Sequence, residues 1–316
     1  VQEATGLHMD RRPTEGAMGA VVGVVTAAAA DALGLRAGIP VAGGTNDAFA
    51  SYLGAGLLEP GDAYDPGGSA GGFGVYWHEP VAVAGAFVTP APVAGLFSVG
   101  AAMAATGRAL DWFREAIVGG DITTTRLLEE AAATPPGAEG VVFLPYLAGE
   151  RSPIWDPTAT GVFAGLTLSH GRGHLTRAIV EASALAIRHV AAPMLAAGVT
   201  VTAMRACGGP ARSDAWNQIK ADVTGFPVLV PDVLETAVLG SAILGAVAIG
   251  ADRDLPSAIR AMTRIDHRLE PRGEFAETYD RLFAAYTALY PAVAPVMRPL
   301  ARGAGEAVGA AAGSRA

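Results

Sequence analysis

The chain has 316 residues, 51% of them hydrophobic, enough apolar side chain for one large domain or two modest ones with real cores. Its formal net charge of -8, with acidic and basic residues mixed and no Lys/Arg block, leaves no electrostatic footprint for nucleic acid. A single cysteine, Cys207, excludes an internal disulfide framework and suits a reducing, cytoplasmic setting.

Metal and membrane roles are also not expected. The histidines are scattered; His170 and His174 are four apart, but Gly171 and Gly173 argue against a helix that would aim both at one ion. The longest uncharged apolar run, between Glu235 and Asp252, is shorter than the roughly 20 residues a bilayer span needs. Broken by Gly240, Gly245 and Gly250, it reads as a buried, closely packed helix. The start at Val1 has no basic stretch followed by an apolar one, so no signal peptide is expected, and the missing initiator Met points to a start inside a longer protein.

In chain order, Gly16 to Leu33 carries small and apolar residues at helical spacing, with Gly34 as its stop. Pro40 to Ala42 reads as a short buried strand that runs through Gly43 to Asp47 into a helix beginning near Ala48. From Gly61 the texture turns Gly-rich and aromatic, with strands and hairpins expected over Gly67 to Trp77 and Ala86 to Val93, and this shift marks the expected domain boundary. Helices are predicted at Thr106 to Val118, Thr123 to Ala133, His174 to Ala197, Asp214 to Thr224, Ala237 to Ile249 and Glu274 to Tyr290. Strands are predicted near Val141 to Leu144, Thr202 to Ala206 and Pro227 to Val230. Such alternation means an α/β fold. Ala301 to Ala316 is Ala/Gly-rich without periodicity and is expected to be a flexible tail.

Three segments carry chemistry. Asp47 follows Thr45 and Asn46 at a helix start, where backbone N–H groups favour an ionised carboxylate. It can take a proton from a substrate hydroxyl, or the Asn46-Asp47 pair can simply cap the helix. The run Gly67 to Gly72 lets backbone N–H groups crowd around phosphate oxygens, though a Gly-rich hairpin gives the same letters. Cys207 to Gln218 closes an apolar strand and opens a helix, so its glycines can admit a flat ring and Ser213 or Asp214 can cap; an ordinary strand-turn-helix corner reads alike. A Rossmann dehydrogenase does not fit, because no glycine run lies between strand and helix with a trailing ribose-binding acid.

Taken together these segments have a family likeness. Gly161 to Leu166, followed after seven residues by His174 to Glu181, resembles the longer signature of the FGGY carbohydrate kinases. Phe143 to Pro153, Gly208 to Asp222, the neighbourhood of Asp47, Ala105 to Trp112 and Leu239 to Ala242 resemble further motifs of the same family, in the same order. The resemblance implies an α/β actin-like (ribonuclease H-like) lobe, a mixed sheet flanked by helices. Residues 1–57 would be the end of the sugar-binding N-terminal lobe, 58–300 the nucleotide-binding lobe and 301–316 a tail. It implies ATP and Mg2+, a small sugar or polyol substrate (a ketopentose such as xylulose foremost), no nucleic-acid or membrane partner, and it allows a homodimer. By position, Asp47 is the catalytic base, and Gly67, Gly68 and Ser69 meet the nucleotide phosphates. Gly107 and Asp111 border the nucleotide, and Gly208, Gly209, Ala211 and Ser213 face the adenosine. Glu150 and Arg151 read as loop-fixing.

The chain departs from the family pattern at Gly68, where a Thr is usual, at Pro210, which replaces a third glycine and has no N–H to donate, and at Ala48, where Asn or Gln is common. The N-terminal phosphate loop of the family has no counterpart. A kinase fragment and a truncated, non-catalytic ATP-binding protein are the two readings this leaves.

Overall fold

The computed structural model describes Gly6 and residues 16–313, with side chains through residue 300. Gly16 to Leu33 is not one helix. Strand β1 (Val21–Val24) comes first and pairs antiparallel with β2 (Pro40–Ala42), and helix α1 (Ala27–Leu33) lies between them. The β-branched valines favour the extended chain. Thr26 then caps α1, its hydroxyl oxygen accepting the Ala29 N–H at 3.2 Å. The alanines of α1 alone account for the helical spacing seen in the sequence. Val21, Val22, Val24 and Val41 are all exposed, giving this hairpin an apolar outer face.

Helix α2 (Asp47–Gly54) leads into a seven-stranded mixed sheet. Its strands are β3 (Asp62–Asp65), β4 (Gly72–Trp77), β5 (Phe87–Pro90), β6 (Phe97–Ala102), β9 (Ala203–Ala206), β10 (Val228–Pro231) and β11 (Ile265–Leu269), in the order β11-β10-β9-β3-β4-β6-β5. The centre is parallel, β3 with β9 and β9 with β10, and the remaining pairs are antiparallel. A separate hairpin, β7 (Val142–Leu144) with β8 (Val162–Ala164), lies in the intervening chain.

Alternation along the strands assigns the two faces. Ala63, Phe73, Val75, Val99 and Met204 pack with helix α5 (Arg172–Ala196) and with Ala221 of helix α6 (Asp214–Thr224). Tyr64 and Tyr76 point the other way, onto α2, helix α7 (Thr236–Ala248) and helix α8 (Leu255–Met262). Helix α5 is the one described helix long and apolar enough to cross a membrane, and most of it is core. Helix α7 is less buried than its apolar sequence suggests: Thr236, Gly240, Ile243 and Leu244 are inside, while Val238 is exposed. Its buried face meets α2 backbone to backbone. A Cβ on Gly240 would overlap the Ala50 carbonyl oxygen, and one on Gly54 would overlap that of Thr236.

The remaining helices are α3 (Arg108–Trp112), α4 (Thr124–Ala133) and α9 (Ala276–Gly313). Helix α9 runs through most of the stretch expected to be an irregular tail, in keeping with the high helix propensity of its alanines.

Candidate active site

The sheet topology decides where a ligand would sit. Strands β3 and β9 are parallel and end level, with Asp65 opposite Ala206. Strand β6 is antiparallel to β4, itself antiparallel to β3, so β6 leaves the sheet at the same edge, with its last residue Ala102 opposite Gly72. The three connections that begin there carry Gly67–Ser69, Gly107 and Gly208–Ser213. Carboxyl ends of parallel strands are where open α/β sheets place ligands.

These connections touch through their backbones. Gly67 and Gly208 adopt φ of 56° and 69°, in the left-handed region, and a Cβ on either would run into the other turn: Gly67 into the Cys207 carbonyl oxygen, Gly208 into that of Pro66 at 2.6 Å. A Cβ on Gly107 would overlap the Gly68 carbonyl oxygen. Gly68 differs; its nearest neighbour would be the Ala70 carbonyl oxygen at 3.5 Å, so a side chain has room. The Arg108 N–H donates to the Ser69 carbonyl at 3.1 Å, stitching the first two segments together.

Between the three lies a cleft of about 550 Å³. Gly67, Gly68, Ser69, Gly107, Asp111, Gly209 and Ser213 line it, so seven of the sequence-selected residues converge there. Gly208 packs behind Gly67, and Ala211 is buried below the cleft with its carbonyl accepting from Asn217 Nδ2 at 2.8 Å. Ser213 also caps α6, its Oγ accepting the Trp216 N–H at 3.3 Å. Leu110, Leu128 and Trp216 supply apolar walls beside the polar Thr124, Thr125 and Arg212. Leu110, Arg212 and Trp216 fall within segments singled out in the sequence without a role of their own, whereas Thr124, Thr125 and Leu128 were not selected, although a threonine run ahead of α4 was a signal. Thr123 caps that helix through the Arg126 N–H at 3.1 Å, leaving the next two threonines to the cleft.

Asp47 is not among the cleft residues. It starts α2, on the opposite sheet face from α6, and is exposed. Asn46 does the capping, its Oδ1 accepting the Phe49 N–H at 2.7 Å, while Asp47 Oδ1 accepts only the adjacent Ala48 N–H at 2.8 Å. Its carboxylate is therefore open to a ligand from the solvent side.

Other motif residues are structural. Glu150 Oε1 accepts N–H groups from Ala104 at 2.8 Å and Arg151 at 2.7 Å, and Arg151 Nη2 donates to the Met103 carbonyl, so this pair pins the chain that follows β6. Burial pushes the Glu150 carboxyl up to about 7 despite those backbone donors. Arg177 and Glu181 form a buried latch. Arg177 Nε donates to Glu181 Oε1 at 2.6 Å and Nη2 to the Tyr279 hydroxyl at 2.8 Å, while Glu181 Oε1 also accepts the Gly137 N–H at 2.9 Å. Among the described residues no group of three His, Cys, Asp or Glu could hold a metal ion.

Residues 68–249 match the profile of the FGGY family of carbohydrate kinases, C-terminal domain. The chain belongs to the FGGY family of carbohydrate kinases. It is 32% identical over 190 residues to the gluconokinase of Bacillus licheniformis, covering 57% of this chain and 37% of that one. It is 38% identical over 169 residues to a glycerol kinase of Citrifermentans bemidjiense, covering 53% and 33%. The crystal structure of xylulose kinase from Rhodospirillum rubrum superposes with a TM-score of 0.80 at 37% identity, over 92% of this chain and 59% of that one. The FGGY chain described here thus spans between a third and three-fifths of these relatives, and its α/β sheet is the actin-like C-terminal lobe of the family.

Proposed function

We propose that this chain carries the nucleotide-binding lobe, residues 58–300, of an ATP-dependent sugar or polyol kinase, with residues 1–57 belonging to the sugar-binding lobe. The observation that carries the reading is the convergence of the three glycine segments on one cleft. Its open backbone geometry at Gly68, Ser69 and Gly209 suits phosphate oxygens, and Trp216 and the two leucines suit a flat base. In phosphoryl transfer the protein positions and neutralises more than it reacts. The sugar hydroxyl oxygen bonds to the γ-phosphorus, the bond from that phosphorus to the bridging oxygen breaks, ADP leaves, and the hydroxyl proton passes to Asp47. Mg2+ would arrive with the triphosphate and offset its charge. Cytoplasmic location and a homodimer belong to the same reading.

Xylulose is the first substrate to test, because the R. rubrum xylulose kinase is 37% identical; gluconate and glycerol follow from the other relatives. Calorimetric titration with Mg-ATP, and ADP release with xylulose, ribulose, gluconate and glycerol in a protein carrying both lobes, test the proposal. Saturable binding and release with one of these substrates are expected. Asp47→Asn should lower turnover at least about a hundredfold with Mg-ATP affinity held; near-normal turnover would remove Asp47 from the mechanism. A second reading, a non-catalytic ATP-binding protein, rests on Gly68 and Pro210, which offer no hydroxyl and no N–H. Binding without ADP release for any substrate, in the protein carrying both lobes, would favour it.

A further inference from the structure

Directly beneath the Gly67–Ser69 turn lies a buried ion pair that does not itself line the cleft. Asp65, the last residue of β3, and Lys220, on α6, are both almost inaccessible, and Lys220 Nζ donates to Asp65 Oδ2. The other carboxylate oxygen, Oδ1, accepts the Gly67 N–H at 3.0 Å. One side chain thus fixes the first peptide of the turn and takes a cation from the helix that Ser213 caps and that carries Trp216. Lys220 Nζ also sits 5.9 Å from the centre of the Trp216 ring, and Trp216 lines the cleft. A small inner cavity of about 10 Å³, room for about one water, is bounded by Lys220, Asp65, Thr106, Gly68 and Ser183.

A buried ion pair is weak evidence for stability, since desolvation offsets much of its attraction. Its position suggests another use. An uncompensated carboxylate below a phosphate-binding turn would repel the ligand, yet Asp65 is needed there to turn the Gly67 N–H inward. Lys220 removes the repulsion while leaving the hydrogen bond. We propose that the Asp65–Lys220 pair is a positioning device for nucleotide phosphates: it orients the Gly67–Ser69 turn and cancels the charge that orientation requires. The inference rests on the reading of the cleft as a nucleotide site.

The other titratable and charged groups around Asp65 are Tyr64 on β3, Cys207 at the end of β9 and Arg205 on β9, the last paired with Asp62 at 2.8 Å. Burial raises the Tyr64 hydroxyl and pushes the Cys207 thiol up to about 12, so neither changes charge between pH 6 and 8.5. A carboxylate buried without its cation takes up a proton more readily. Lys220→Met therefore makes phosphate binding pH-dependent, which a purely structural role would not do.

The test is the Kd of Mg-ATP by calorimetry on the full protein from pH 6 to 8.5, read as the ratio of variant to wild type so that the nucleotide's own titration cancels. Lys220→Met is expected to weaken binding at least about tenfold at pH 8.5. The ratio should shrink about threefold or more towards pH 6. Adding Asp65→Asn, which keeps the acceptor for Gly67, should recover most of the affinity and flatten the profile. Should Lys220→Met fail to fold, the Asp65→Asn/Lys220→Met double variant and Lys220→Arg carry the test, both expected to bind nearly as wild type. A pH-independent ratio, or a folded double variant that binds no better than Lys220→Met or, in its absence, far more weakly than wild type, overturns the proposal. Wild type that binds no Mg-ATP overturns the cleft reading and this inference with it, whereas wild type that binds beside an unaffected Lys220→Met overturns the inference alone.

Discussion

The glycine turns at the sheet edge and the Arg177–Glu181 pair of the buried latch both lie in segments that resemble family motifs, yet they are opposite kinds of structure. At the edge, the main chain of the glycine turns faces an open cleft whose walls are Leu110, Leu128 and Trp216. In the latch, charged side chains are fully enclosed and spend their hydrogen bonds on one another and on the Gly137, Ala131 and Thr134 backbone. Motif membership alone does not separate a ligand site from a strut. Polar groups left facing space do.

Breaking the latch should give the largest effect. Glu181→Ala leaves the Arg177 guanidinium buried without its carboxylate, and removing one partner of such a pair costs about 3–5 kcal/mol. Urea unfolding should show that loss, with Mg-ATP affinity of the folded fraction unchanged. A change in affinity with stability intact would erase the distinction between the two regions.

The edge should respond the other way. Gly107→Ala drives a methyl into the Gly68 carbonyl oxygen, and relieving such a clash costs roughly 1–3 kcal/mol. The expected reading is Mg-ATP affinity lower by about tenfold, because the displaced segment is the turn proposed to meet the phosphates. Equal affinity in a folded variant would detach Gly107 from the site.

Glu150 sharpens the comparison through pH. Its carboxyl titrates near 7 in the folded chain against an ordinary value of 4.5, so the folded state keeps a proton that the unfolded state has released. Stability from this group is present below about 4.5 and declines as pH rises to about 7, by on the order of 1–3 kcal/mol. Glu150→Gln preserves the acceptor for Ala104 and Arg151 and should flatten the stability profile over that window. An unchanged slope would assign the proton elsewhere.

Much of this arrangement was legible because local signals agreed. Helix α6 matches its predicted bounds, with Ser213 as cap and Gly225 in the left-handed conformation as stop. The glycine segments at Gly67 and Gly208 stood out by their own residues, and Gly107 through the family resemblance. What escaped was decided by tertiary partners. Strand β3, four residues with an Asp at each end, has no apolar run to mark it, and becomes central only because β4 and β9 flank it. Asp65 and Lys220 lie 155 positions apart, and nothing local to either announces the other. The valines of β1 were absorbed into a helical pattern that belonged only to the alanines after them.

The smallest expected change is a gain. Gly68→Thr would place a hydroxyl in the cleft with its Cβ at ordinary contact distance, 3.5 Å, from the Ala70 carbonyl oxygen, and one added neutral hydrogen bond is worth about 0.5–1.5 kcal/mol. Mg-ATP should bind a few-fold more tightly by calorimetry. Weaker binding would show that the turn needs its bare backbone at this position too.

The α2–α7 crossing has a consequence for genetics. At Gly54 and Gly240 each helix rests on the other's carbonyl oxygens, so even alanine has nowhere to go. In a saturation library selected for growth on the substrate, both codons should be emptied of every replacement, as thoroughly as any position in the cleft. Neither glycine touches the cleft. A depletion map of this protein would therefore outline two separate features, the cleft and the crossing, and a reader taking intolerance as a sign of catalysis would misplace the second.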